Sequence, residues 1–408
     1  MGIDVKTKKV QGYSFLKELQ ENSIGAEIWW DSSPTLLRSW INQFTKQANN
    51  KKESKQREEF LTNFFDPTDP LKSLIQGVTT NPNLITNCVL LDKDLWKNDF
   101  RTIKKAEGIT DSKILYWSLY KHVIETGAKI FKEMWVKSQG KYGWVCAQVD
   151  PRTTLNSDQI FMQGQELSAL GPNIMVKVPG SAAGYDAIER LIACGVSINN
   201  TFSYTVPQLT KCIDAIRRGL ERANKNSVDI SRWRCVITFM IGRFGRQGNL
   251  VEQAKKRNIN LTTESIRWAE IAIFKRFCEV LSNSGVPAKI LLSSIDCDLN
   301  PDTGKASCWH IEKTLGSHTI YTFKPQLLES LFILQKTMQK PNFSVHDEPV
   351  PAELMNQLME IPYFNESYSI DKICPDQFHH LDPFIATYAE SYESVIKMTN
   401  FICNRTVI

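Results

Sequence analysis

One pattern recurs eight times along the chain: a short apolar or β-branched run, then a longer stretch of helical character. The runs are "AEIWWD" (26–31), "LIQGVTT" (74–80), "GWVCAQVD" (143–150), "NIMVKVP" (173–179), "VSINNTF" (196–202), "RCVITFM" (234–240), "KILLSSI" (289–295) and "HTIYTF" (318–323). Helical periodicity fills 182–194, 206–223, 262–284 and 325–338 between and after them. Most runs are nearly continuous in apolar residues, the pattern of parallel strands covered on both faces. Eight strand–helix units in series predict a closed (β/α)8 barrel. Residues 86–142, including "DSKILYWSLYKHVIETGAKIFKEMW", and residues 341–408 exceed the minimal barrel and read as a helical insertion and a helical tail of one domain spanning 1–408. The mixed-sign cluster "NNKKESKQREE" (49–59) reads as a solvated loop or helix end.

Composition narrows the class. Apolar residues make up 42% and charged residues 23% of the 408, the balance of a soluble globular protein. The formal charge of +5 is dispersed, with no one-signed patch, so no nucleic-acid partner is expected. No apolar stretch reaches a membrane span, and "MGIDVK" has Lys6 where a myristoylation signal needs Ser or Thr. Ten cysteines occur singly, without a C-x-x-C pair or a secretory leader, which points to a reduced, cytoplasmic protein. Cys146, Cys194, Cys235 and Cys278 read as small core residues, and the sequons at Asn342, Asn365 and Asn404 carry little weight without secretion. The six histidines lack zinc-like spacing, so no metal site is expected.

In a barrel of this kind function collects at the carboxyl ends of the strands. Asp31, Asn81, Gln148, Asp150, Lys177, Asn199, Thr201, Thr238, Arg243, Ser294 and Asp296 fall there. Lys177 interrupts an apolar run, and burying an unpaired ammonium costs several kcal/mol. It shares a strand face with Met175, while Ile174, Val176 and Val178 take the other and suit the helix-covered side. An inward lysine would be desolvated and presented as the neutral amine that attacks carbonyls. A structural ion pair with Asp31 or Asp150 is the alternative left open at this point.

Five ordered segments then carry a family resemblance. "IWWDSSPTLL" (28–37), "GVTTNPNLI" (77–85), "AQVDPR" (147–152), "MVKVPGSAAGYDAIERLIACGVSINNTFS" (175–203) and "TFMIGRF" (238–244) resemble the transaldolase family, and "FIATYAESYESVIKMTNFI" (384–402) is similar to the ending of its longer bacterial members. The shorter fructose-6-phosphate aldolases share the motifs. The resemblance implies a barrel of the class I aldolase and transaldolase kind. It also implies transfer or cleavage of a three-carbon dihydroxyacetone unit from a ketose or ketose phosphate, without a cofactor. Lys177 would form the imine. Asp31 and Asn81 would hold substrate hydroxyls and the imine, and Asn199 and Thr201 the substrate and a water. Thr238 and Arg243 would bind the phosphate, with Ser294 and Asp296 beside them. Sugars or sugar phosphates are the partners implied, and a homodimer is compatible with the resemblance.

Two departures qualify it. Transaldolases usually carry Glu where Gln148 stands, and an amide can orient a water but cannot accept its proton. The fructose-6-phosphate aldolases share this Gln but place a catalytic Tyr at the position of Met240. After the seventh run, "SSIDCDLNP" brings Asp296 and Asp298 where a basic phosphate ligand is usual. Asp296 is therefore expected to pair with Arg243 and weaken selection for phosphate, with Lys324 or Arg246 as substitute anion ligands. An aldolase acting on an atypical or unphosphorylated substrate, or a silent sugar-binding homologue, are the alternatives.

Overall fold

A computed structural model describes residues 14–107, 111–299, 306–336 and 343–403. The eight runs form eight parallel strands: β1 (Glu27–Asp31), β2 (Ile75–Thr79), β3 (Trp144–Gln148), β4 (Ile174–Pro179), β5 (Ile198–Ser203), β6 (Cys235–Met240), β7 (Ala288–Ser293) and β8 (Ile320–Phe323). Each pairs with its sequence neighbours, and β8 pairs with β1, so the barrel closes. Every strand end lies within two residues of the run that anticipated it. The short antiparallel pair Asp298–Leu299 and Ala306–Ser307 follows β7 and was not anticipated.

Closure sorts side chains by parity. On β4, Ile174, Val176 and Val178 enter the outer core beneath the helices. Met175 enters a separate inner cluster with Trp29, Trp135, Trp144, Cys146, Val236, Leu291 and Ile320. Lys177, two residues beyond Met175, therefore faces the barrel interior. The indole of Trp29 fills the middle of that interior because Gly77, its register partner on β2, has no side chain. A Cβ on Gly77 would lie 2.5 Å from the Trp29 ring.

Other elements shape the surroundings. The 49–59 cluster is neither a loop nor a helix end but most of a full helix, Lys51–Phe60. The Asn50 side chain accepts from Glu53 N at 2.9 Å as its cap, and Phe60 anchors it against Phe44 and Phe332. Helices Pro82–Leu91, Lys93–Glu107 and Ser112–Lys137 occupy the stretch between β2 and β3. Helix Asp382–Cys403 packs on the first and third of these, with Thr86 Oγ1 donating to Ser394 O at 3.1 Å. Cys146 and Cys235 are buried and Cys278 partly so, but Cys194 is exposed, because it follows the last residue of helix Ala182–Ala193 instead of lying on the helix's buried face. Among the described residues no helix is long and apolar enough to cross a membrane. The "MGIDVK" start and the sequons at Asn342 and Asn404 lie outside the described residues.

Gly77→Val should overpack the Trp29 seat and lower stability by about 1–3 kcal/mol, read as a reduced urea midpoint. An unchanged midpoint would mean that the indole moves aside freely.

Candidate active site

Lys177 occupies the layer directly above the inner apolar cluster. Gln148 on β3 and Asn199 on β5 are its register partners, so three polar side chains share one level. Its side chain is enclosed, with the residue only 6% exposed. The Nζ donates to the Thr80 carbonyl at 3.3 Å, and among the described residues no carboxylate forms an ion pair with it. Burial, the largest influence, lowers its pKa; the charges of Cys146 and Asp31 oppose the shift, and Arg243 adds to it. Burial also pushes the Cys146 thiol up to about 11, so at neutral pH it carries no charge to neutralise the lysine.

The two carboxylates considered as structural partners are engaged elsewhere. Asp31 accepts from Thr79 Oγ1 at 2.6 Å, within the wall between β1 and β2. Asp150 makes a forked pair with Arg152, at 2.9, 3.0 and 2.5 Å, and stays out of the lysine's reach as a salt bridge. The ion-pair alternative for Lys177 is therefore not what the structure shows.

Neutral donors and acceptors surround the amine. Neither Gln148 Oε1 nor Nε2 has a hydrogen-bond partner, although both are buried. Its backbone is clamped by Tyr120, whose hydroxyl donates to Gln148 O at 3.0 Å and accepts from Gln148 N at 3.1 Å. An amide held this way has its full capacity free for a ligand or water. Asn199 accepts from Thr238 Oγ1 at 2.7 Å and donates to Cys146 Sγ at 3.1 Å. Thr238 is thus tied to Asn199 inside the barrel, not to Arg243 as a phosphate ligand would be. Thr201, in register with Pro179, is buried. Asn81 caps helix Pro82–Leu91, accepting from Leu84 N at 2.9 Å, which leaves its NH2 group as the donor for a hydroxyl.

The expected phosphate region differs most from the sequence reading. Arg243 lies on the short helix Ile241–Gln247 after β6, where its Nη2 donates to Glu390 at 2.6 Å and its Nη1 to Thr387 Oγ1 at 3.0 Å. Its Nε is buried and unpartnered. Burial alone would raise the Glu390 carboxyl, but the Arg243 hydrogen bond and charge outweigh it and the net shift is downward. Asp296 does not neutralise Arg243: it pairs with Arg246 at 2.6 Å and approaches Arg267 at 3.7 Å. Arg267 also holds Asp298 at 2.7 Å and Glu270 at 2.6 Å. His310 Nδ1 accepts from Asp296 N at 3.0 Å, so its Nε2 carries the proton and donates to Glu270 at 2.7 Å. The acids after β7 are therefore balanced by their own cations.

Gly242 lets that loop approach, since a Cβ there would meet Ser294 O at 2.3 Å and Asp296 Oδ2 at 2.6 Å. Ser294 itself turns the chain with a φ of 57°. Arg246 is taken by Asp296, and Lys324 is an exposed residue at the start of helix Pro325–Leu334. Neither replaces Arg243 in this arrangement.

Three residues were not singled out from the sequence. Tyr204, just past β5, donates its hydroxyl to Thr387 at 2.6 Å and reaches Met240 Sδ at 3.4 Å. Thr387 and Glu390 come from helix Asp382–Cys403, nearly 150 residues from Arg243 in the chain, and no local periodicity links them.

A closed parallel barrel with a desolvated amine among neutral donors, at the carboxyl ends of its strands, is the layout of an aldolase-type barrel enzyme. Residues 70–373 match the model of the transaldolase/fructose-6-phosphate aldolase family, and the chain belongs to that family. Curated transaldolases are similar to it. That of Thiobacillus denitrificans is 24% identical over 270 residues, 63% of this chain and 74% of its own. That of Mycobacterium ulcerans is 29% identical over 185 residues, 45% of this chain and 48% of its own. That of Campylobacter jejuni (strain RM1221) is 27% identical over 210 residues, 49% of this chain and 62% of its own. The chain thus spans about half to three quarters of the length of these relatives.

A lysine whose pKa is lowered on folding binds its proton less tightly in the native state than its ordinary value of 10.5 implies. The unfolded chain then holds more protons between the two values, and native stability falls as pH drops through that window. Lys177→Met removes the penalty. It should raise the denaturant midpoint most near about pH 6, and the gain should shrink toward about pH 10. A loss of stability at the lower pH would mean that a partner charge compensates the ammonium.

Proposed function

We propose that the protein is a transaldolase-type enzyme that uses Lys177 to transfer a three-carbon dihydroxyacetone unit from a ketose donor to an aldehyde acceptor. The observation that carries this reading is the Lys177 amine, enclosed in the barrel, bonded to a backbone carbonyl and lacking a carboxylate partner among the described residues. Such an amine is a nucleophile rather than half of a salt bridge. Names of the relatives support the same activity class.

The sequence of steps follows from the chemistry of an imine. The neutral Nζ adds to the ketose C2 carbonyl, and the carbinolamine takes up one proton from solvent as it loses water, which leaves a protonated imine; that proton is returned when the imine is hydrolysed. Asp31, the carboxylate whose charge acts on Lys177, takes the proton of the C4 hydroxyl. The C3–C4 bonding electrons move into the imine, giving an enamine and releasing the first aldehyde. The enamine carbon then attacks the carbonyl of the acceptor, whose new hydroxyl regains the proton from Asp31. Water, oriented by the free amide of Gln148, adds to the imine and returns Lys177. Asn81, Asn199 and Thr201 hold hydroxyls of the substrate. Thr238 acts through Asn199, whose amide oxygen it fixes at 2.7 Å.

The substrate's far end meets Arg243. A phosphate there must share or displace the Glu390 carboxylate, whereas a free hydroxyl could bond to Thr387 or Glu390 without disturbing the pair. Ser294 and Asp296 border this region from the β7 side, and Gly242 keeps that border close to the Arg243 helix.

Two experiments test the reading. Borohydride reduction with fructose 6-phosphate or dihydroxyacetone should add the donor fragment at Lys177, and Lys177→Ala should abolish the adduct; labelling at another lysine would remove the central claim. Glu390→Gln should lower KM for fructose 6-phosphate by up to about fivefold, since a partly exposed pair is worth ~1 kcal/mol at most. The kcat/KM for unphosphorylated donors should change less. An equal response of both donors would show that the phosphate does not use Arg243.

A further inference from the structure

The opposite mouth of the barrel holds a cavity of about 580 Å3, lined by residues at or just before the starts of β1, β3, β6, β7 and β8. This is a volume suited to a small metabolite. Its charge is one-sided. Lys141, Arg232, Arg234 and Lys289 face a single carboxylate, Glu27. Glu27 Oε1 already takes Arg234 at 2.5 Å and Lys289 at 2.9 Å, and its Oε2 accepts from the Trp29 indole at 3.0 Å. It has nothing left for the other two cations.

Lys141 and Arg232 have no ion-pair partner among the described residues. They are instead steadied on ring faces, Arg232 lying 4.9 Å from the Trp135 ring and Lys141 lying 5.0 Å from that of Tyr142. A ring face holds a cation in place without using its N–H donors. Arg234 and Lys289 are mostly buried, with side chains 15% and 10% exposed, so their charges are poorly screened by water. The excess shows in its neighbours. Burial is the largest influence on both Lys289 and His318 and lowers their pKa against the opposing charge of Glu27, with nearby cations adding to the downward shift.

We propose that this cavity is a binding site for a small phosphate-bearing anion. The guanidinium fork of Arg232 suits tetrahedral oxygens, while Arg234, whose Nη atoms serve Glu27 and the Lys141 carbonyl, contributes charge; an excess of several positive charges suits a dianion better than a monocarboxylate. The site is separate from Lys177, because the layer of Trp29, Trp144, Met175 and Leu291 fills the barrel between them. Its occupant therefore takes no part in the imine chemistry, and the proposal stands or falls independently of the function above.

Calorimetric titration of the full chain with inorganic phosphate and with ribose 5-phosphate tests it, with acetate at matched ionic strength as the control. Saturable binding of at least one phosphate compound is expected, and acetate should not compete. Whichever of the two phosphates binds more tightly identifies the source as a free ion or a phosphate monoester. The binding should persist in Arg243→Ala, which alters the catalytic face. It should weaken at least tenfold in the double variant Lys141→Ala with Arg232→Ala, whose side chains are exposed. Arg232→Glu alone should weaken it similarly. Absence of saturable binding, binding unchanged in both of these variants, or binding abolished by Arg243→Ala would overturn the proposal.

Discussion

An ammonium group can remain enclosed in a protein only if something offsets its lost hydration, and the arrangement around Lys177 offers little. Below it the barrel is filled by Trp29, Trp144, Cys146 and Met175, so water has no route from the far mouth. Beside it stand Gln148, Asn199 and a backbone carbonyl rather than a carboxylate. The dry layer and the missing counter-charge act in the same direction, toward the uncharged amine. That layer depends in turn on Gly77, which leaves room for an indole in the middle of the barrel.

The two mouths treat charge differently. At the catalytic mouth three arginines have found acids: Arg243 has Glu390, Arg246 has Asp296, and Arg267 has Asp298 and Glu270. Under the function proposed above, a substrate anion there would compete with a carboxylate carried by helix Asp382–Cys403. At the other mouth four cations line a cavity with one carboxylate, which pairs with two of them. Long-range attraction of anions should be felt there more strongly, because half of those charges lie in partly enclosed surroundings where screening is weak.

The family resemblance and the physical reading reached Lys177 by different routes. Strand parity put it in the interior, and the motif order pointed to the imine role proposed above. Parity also put Asn199 and Thr201 on one strand face, whereas Gln148, Thr238 and Asp296 came from their places at strand ends and from the resemblance. The roles expected for Thr238 and Asp296 differ from their contacts in the structure. Thr238 has the right parity, but its hydroxyl bonds across to Asn199 on the next strand instead of reaching Arg243. Asp296 lies past the end of β7, where the alternation stops and a turn through Ser294 sets the direction of the side chain. Nor was the helix at 51–60 legible as more than a polar cluster, because its single apolar anchor, Phe60, comes after the charged run.

The sequence by itself determined the barrel, its eight strands, the inward face of β4 and the identity of the buried lysine. All of these follow from local periodicity: burial on a strand repeats every two residues, and the order of strands in a parallel barrel is the order in the chain. Only the tertiary structure decided which acid holds which cation. Glu390, Arg243, Asp296 and Arg267 come from separate helices and loops, and a side chain several bonds long can reach any of several partners once the backbone brings them near. Such pairings are set by the distances between elements, which local sequence pattern does not encode.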